Sequence, residues 1–287
     1  MSIAKLDQFG LLQVTGEEAR AFLHAQLTND IENLAPGRAQ YAGWCSAKGR
    51  LLATFLVVPC GGGFLLQLSR DLASVVAKRL AMFILRSKVK LADATDRWEQ
   101  HGLWGEAPLA ALGLAPPGRD LEVVEKDGMI AVRVESDRYL VLAPAATKER
   151  IKADTAAEDW TLAEIRAGRP LVVQATQDQF VPQMVNLELA GGVDFRKGCY
   201  PGQEIVARAQ YRGAVKRRMV RLRGGALHPG QDLYSDDAPG QASGTVVNAA
   251  GDEALAVLQL SAIESRAPIR AQPQGPALEP LALPYAL

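Results

Sequence analysis

Cys199 stands where a sulfur can become reactive. The stretch 194–213, DFRKGCYPGQEIVARAQYRG, sets Arg196 and Lys197 before it and Gly198 and Gly202 on either side of Cys199-Tyr200-Pro201. A helix-like run, Gln203 to Arg208, follows. Adjacent cations and a helix N-terminus both favour thiolate over thiol, and the thiolate is the nucleophile and metal ligand. The two glycines allow backbone conformations and close approaches that a Cβ would resist. The competing reading is a structural Cys in a tight turn. One Cys cannot fill a metal's coordination sphere alone. Cys45 and Cys60 lie far away in sequence, and His24, His101 and His228 have no metal-ligand spacing, so no stably bound metal is expected.

The rest of the chain must hold that turn. Its 287 residues exceed most single cores and imply two or three domains. Lys and Arg (32) balance Asp and Glu (32), so no global charge draws the chain to nucleic acid. Three cysteines, odd in number and widely spaced, make neither a disulfide framework nor a CxxC site. MSIAKLDQFG lacks the apolar core of a signal peptide, and no apolar run approaches the roughly 20 residues that span a bilayer. A cytoplasmic protein without membrane association is the expectation.

Residues 9–14 read as a strand, and Thr15-Gly16-Glu17-Glu18 has the T-x-x-E capping-box pattern before helically spaced apolar residues. Strands are expected near 39–44, 51–58 and 64–68, with a basic turn at Lys48-Gly49-Arg50. Asp71–Leu85 reads as an amphipathic helix with Leu72, Val75, Val76, Leu80 and Phe83 on one face. Short strands at 88–92, 101–104, 121–126, 129–134 and 139–143 follow, and residues 159–168 form a helix stopped by Gly168. This alternation indicates α+β lobes with antiparallel sheets. Beyond Gly213, short apolar runs between turns read as a small β-barrel or sandwich.

Lys197-Gly198-Cys199-Tyr200-Pro201-Gly202-Gln203-Glu204 resembles the K-G-C-[FY]-x-G-Q-E motif of the folate-binding YgfZ family, the "tRNA-modifying proteins". FLHAQLTNDIENL, AKGRL, IRAGRP, FVPQMVNLE, GGVDF and YRGAVKRR resemble the same family in order, over nearly the whole chain. The family is related to the glycine cleavage T-protein, an aminomethyltransferase. The resemblance implies an α+β fold of three lobes around a folate site: two α+β lobes of ferredoxin-like type within 1–212, the second roughly 50–145 inserted in the first, and a C-terminal barrel over 213–287. It implies tetrahydrofolate or a one-carbon derivative as cofactor. The implied partners are iron–sulfur client enzymes such as a radical-SAM tRNA thiomethylase.

One departure bears on enzyme activity. Where the T-protein's resembling strand carries a catalytic acid, this chain has Ala53 and Thr54, which cannot hold a negative charge or relay a proton. Folate binding without glycine-cleavage chemistry is therefore expected. A pterin is flat with a polar edge and wants a stacking ring and a carboxylate or amide. The resemblance points to Trp160 and Phe9 as rings, with plain core packing as the competing reading. Gln183, Asn186 and Glu188, in the irregular segment before the cysteine motif, are the candidate polar partners, with Glu188 either accepting from the pterin amino group or a solvated carboxylate, and Tyr200 beside the thiol is a further candidate. Lys197 would steer a glutamate tail or lower the Cys199 pKa, or else be a solvated surface cation. Residues 196–223 hold nine basic side chains and one acid, a patch for RNA or an acidic protein. The neutral chain and thin aromatic interleaving argue against direct tRNA contact. A folate-dependent one-carbon transferase and an RNA-binding module remain the alternative readings.

Overall fold

The computed structural model describes residues 2–213 and 215–287, the side chains of 148–150 excepted. The N-terminal part runs β1 (Ser2–Lys5), β2 (Phe9–Thr15), α1 (Ala19–Gln26), β3 (Gln40–Cys45), β4 (Leu51–Cys60), β5 (Gly63–Ser69), α2 (Arg70–Ala81) and β6 (Lys90–Asp93). It continues with β7 (Trp98–Trp104), α3 (Ala107–Ala111), β8 (Val123–Lys126), β9 (Met129–Glu135), β10 (Arg138–Pro144) and α4 (Ala157–Arg166). After a long irregular segment come α5 (Gln203–Tyr211), β11 (Arg217–Arg223), β12 (Asp232–Ser235), β13 (Ala242–Ala250) and β14 (Glu253–Gln259). The last elements are α6 (Leu260–Ser265), β15 (Ile269–Arg270) and β16 (Ala277–Leu281).

Two antiparallel sheets form, ordered β3-β4-β5-β2-β6 and β1-β7-β10-β9-β8, and β11-β14-β13-β12-β15-β16 close into a barrel. The first sheet is buried on both faces. On β4, Phe55 and Val57 pack with the α1–α2 core, while Leu56 and Val58 pack against the second sheet. A strand covered on both faces reads as a continuous apolar run, which is why LLATFLVV does not alternate. The same period of two sends Ala53 into the α1–α2 core and Thr54 to the opposite face.

Three expectations are corrected. A second lobe beginning near residue 50 would cut the β3–β4 hairpin, whose register runs from Gln40↔Val57 to Cys45↔Leu51. The second sheet instead takes β1 and then resumes at Trp98. The capping box does not form: Thr15 ends β2, and the Glu18 carboxylate accepts the Lys88 backbone N–H at 2.5 Å. On α2, the buried face is Leu72, Ala73, Val76, Ala77 and Leu80, one residue away from the expected centre, so Val75 is 55% exposed. The helix stops at Ala81, and turns through Met82–Leu85 carry Phe83 out of register to 44% exposure. No helix among the described residues is long and apolar enough to cross a membrane.

Candidate functional site

All three lobes contribute to one cavity. Phe9, Phe55, Leu56 and Val134 bring apolar wall from the two sheets, and Ile165, Leu171 and Leu187 complete it. The polar groups are Tyr41 on β3, Thr54 on β4, Gln67 on β5, Thr161 and Glu164 on α4, Arg169 in the following turn and Asn248 from the barrel.

Trp160 is fixed before any ligand arrives. Its ring lies on β7 at Gly102, where a Cβ would stand 2.2 Å from ring carbon Cε3, so no other residue fits under it. The Trp104 ring meets it edge-on at 5.5 Å, and the Arg138 guanidinium lies 4.9 Å from its centroid. The ring is 2% exposed. It therefore serves as wall and floor, and not as an open stacking platform.

Beside it lies a four-membered ion cluster. Arg138 bonds Glu164 at 2.9 Å and Glu135 at 2.5 Å. Arg169 bonds Glu164 at 3.0 Å and donates to the Val134 carbonyl at 2.8 Å. Burial alone would lower the Arg169 pKa, but the Glu164 and Glu135 carboxylates hold the guanidinium charged. Burial pushes the Tyr41 phenol well above its ordinary value, so it stays a neutral donor. Gln67 Nε2 donates to Gln100 Oε1 at 2.8 Å, and Gln100 Nε2 donates to the Phe9 carbonyl at 3.1 Å. That chain fixes the backbone that carries Phe9.

Three further bonds set the wall at Leu171 and Val172. The Val172 N–H donates to Thr54 Oγ1 at 3.0 Å. Asn248 pairs with both the N–H and the carbonyl of Leu171 at 2.8 Å, which fastens the barrel to the cavity rim.

The remaining sequence candidates lie elsewhere. Gln183 Nε2 donates to the Val206 carbonyl at 2.8 Å, and Asn186 Nδ2 to the Met219 carbonyl at 2.8 Å. Glu188 is ion-paired with Arg218. These groups fasten the 182–191 segment to α5 and β11 and do not line the cavity. Tyr200 is buried, with the Lys197 ammonium 4.8 Å from its ring centroid. Lys197 is not a surface cation: its ammonium donates to the carbonyls of His24 and of Leu27 (2.8 Å), closing the C-terminal end of α1. Burial pulls its pKa down to about 8, opposed by Asp30, Asp194 and Cys199.

Cys199 itself is exposed, whereas Cys45 is buried and Cys60 half-buried. Burial pushes their thiols up to about 12 and about 11. Gly202 begins α5 at φ +78°, where a Cβ would stand 2.4 Å from the Ser46 carbonyl oxygen. The cysteine turn is thus seated directly on the Ser46–Arg50 turn.

Of the residues the sequence singled out as ligand partners, Phe9 and Trp160 line this cavity; Tyr41, Gln67, Glu164, Arg169 and Asn248 line it without having been singled out. Glu164 was within reach, since it lies four residues after Trp160 and shares its helix face. Tyr41, Gln67 and Asn248 come together only through strand register and barrel docking.

The GCVT N-terminal domain profile matches residues 1–116. The whole fold is similar to the glycine cleavage system aminomethyltransferase T from Bartonella henselae, with TM-score 0.79 at 17% identity, covering 99% of this chain and 85% of that one. That likeness establishes the three-lobed architecture. In sequence, the chain is 34% identical over 248 residues to the tRNA-modifying protein YgfZ of Klebsiella pneumoniae (strain 342), covering 81% of this chain and 76% of that one. It is 30% identical over 247 residues, with the same coverages, to the protein of that name from Escherichia coli O45:K1. Identity of this extent reaches past the matched N-terminal domain and into the segment that carries the cysteine turn, and on it the chain belongs to the YgfZ family of tRNA-modifying proteins.

Proposed function

We propose that this chain binds a reduced folate in the three-lobed cavity and acts as an accessory protein for iron–sulfur enzymes in the cytoplasm. Its effect on tRNA runs through a client, a radical-SAM thiomethylase, and the Cys199 thiol is the group that acts on that client. The observation that carries the folate reading is the cavity itself. It has apolar walls suited to a flat ring and polar groups at few points. Tyr41 and Arg169 supply donors, while Glu164 and Gln67 supply acceptors for an amino-substituted ring edge. Bound tetrahydrofolate would supply one-carbon chemistry. The chain's own part is to orient the ring and exclude water.

Glycine-cleavage turnover is not part of this reading. Ala53 faces the opposite core, and Thr54 offers a hydroxyl that already accepts the Val172 N–H. Neither can hold a proton-accepting charge at the ligand.

Calorimetric titration with tetrahydrofolate tests the folate site. Saturable binding is expected in the wild type. Ala190→Trp, which fills the mouth from a half-buried position, should weaken it by at least about tenfold, the equivalent of 1.4 kcal/mol. Equal binding by both proteins would move the ligand out of this cavity. Restoration of iron–sulfur enzyme activity in a deletion strain by wild type and not by Cys199→Ala tests the thiol; full restoration by Cys199→Ala would remove its role.

A further inference from the structure

We propose that the outer face of α5 and the two turns flanking it form a docking surface for an acidic protein, which brings its reacting group to Cys199. The inference rests on the accessory reading above and names the surface through which that reading works.

The face is continuous. Gly202 starts α5 three residues after Cys199, and Val206 is the side chain the helix buries. On the opposite side, Ile205 is 41% exposed and Tyr211 68% exposed, with Arg208 and Arg212 exposed at helical spacing between and beside them. At one end, Ile205 packs against Gly49, which places the exposed Lys48 and Arg50 alongside. At the other end, Tyr211 meets Phe195 edge-on at 6.0 Å, which brings in the exposed Arg196. Five cations thus flank two apolar side chains and an exposed thiol, against three carboxylates, Asp178 beside Arg50, Asp194 and Glu204.

An apolar centre within a charged rim, rich in Tyr and Arg, is the anatomy of a protein–protein interface. The charge calls for an acidic partner, since complementary rims steer encounter. RNA fits less well. Four of the nine cations in 196–223 are withdrawn from such a surface: Lys197 is buried, Arg218 is paired with Glu188, and Arg221 and Arg223 both engage Glu253. A broken row of cations on a neutral chain releases few counterions from a phosphate backbone.

The test uses Arg208→Glu/Arg212→Glu and Tyr211→Ala in the full chain, expressed in the deletion strain and purified. Both variants should keep the wild-type thermal midpoint and tetrahydrofolate affinity, because none of these side chains lines the cavity. Both should fail to restore iron–sulfur enzyme activity that the wild type restores. Binding of the purified radical-SAM thiomethylase, followed by fluorescence anisotropy, should fall about tenfold or more for the charge reversal, and the difference should shrink at high salt. Restoration by the charge-reversed chain equal to wild type would overturn the surface while leaving the accessory reading intact. Failure of the wild type to restore activity would strike the accessory reading instead, and the binding assay alone would then decide the surface: loss in both variants upholds it, and no binding by the wild type overturns it. Binding of tRNA to this face with no binding of the protein would likewise overturn it.

Discussion

At the cavity, charge is committed: Arg138 and Arg169 are each bonded to Glu164, and Glu135 closes the cluster. At the cysteine turn, by contrast, the thiol is exposed and the charges around it face outward, while the one buried cation, Lys197, is turned inward to the end of α1. The cavity is rigid because its charged groups satisfy one another. The turn is rigid beneath, through Lys197 and Gly202, and open above. The first kind of site holds a ligand of fixed shape; the second presents a reactive group to something that arrives. The two meet through one segment, since Leu187 and Ala190 line the cavity while Gln183, Asn186 and Glu188 fasten α5 and β11.

The sharpest way to test that contrast is the thiols. Alkylation of the native protein at neutral pH should label Cys199 first. Cys60 and Cys45, whose thiols burial holds near 11 and 12, should follow slower by on the order of a hundredfold or more. Peptide mass analysis assigns the sites. Fast labelling of Cys60 would mean that the hairpin carrying it opens readily and that exposure does not distinguish the turn from the rest.

The next largest effect belongs to the cavity. Arg138→Met strips a bonded cation from Glu135 and Glu164 and from the face of Trp160. Removal of one partner from such a cluster costs about 3 kcal/mol, read as a lowered denaturant midpoint. Glu204→Gln, on the exposed face of α5, should change stability by less than about 0.5 kcal/mol. If Arg138→Met left stability unchanged and only weakened folate binding, the cluster would serve the ligand and not the fold.

How much of this was legible in the sequence follows from the range of the forces involved. The strands, the barrel and the cysteine turn are local or periodic features, and glycine positions such as 198 and 202 announced the turn directly. Trp160 and Phe9 were reached by resemblance. Tyr41, Gln67 and Asn248 were out of reach, because their place at the cavity depends on which strand lies beside which. Gln183, Asn186 and Glu188 lie off the cavity for a related reason. A polar group in an irregular segment can face a ligand or satisfy buried backbone, and only the packing of α5 and β11 decides between them. Val75 and Phe83 failed at a finer level, where one residue of helix phase and one early stop moved them to the surface.

Lys197 lies between the two regions and carries a smaller effect than Arg138. Lys197→Met removes donors from the carbonyls of His24 and Leu27, for a loss of about 2 kcal/mol. The pH dependence of that loss tests what the ammonium does. Burial lowers its pKa from 10.5 to about 8, so between these values the folded chain binds fewer protons at Lys197 than the unfolded chain. Stability contributed by this residue therefore rises with pH across that window and is lost as pH falls through about 8. The gap in thermal midpoint between wild type and Lys197→Met should widen from pH 7.5 to pH 9.5, with the same pair measured in Cys199→Ser to remove the neighbouring thiol. A gap that narrows instead would mean that the charged form is the one the fold prefers. The bonds from the ammonium to the His24 and Leu27 carbonyls would then outweigh the cost of burying it.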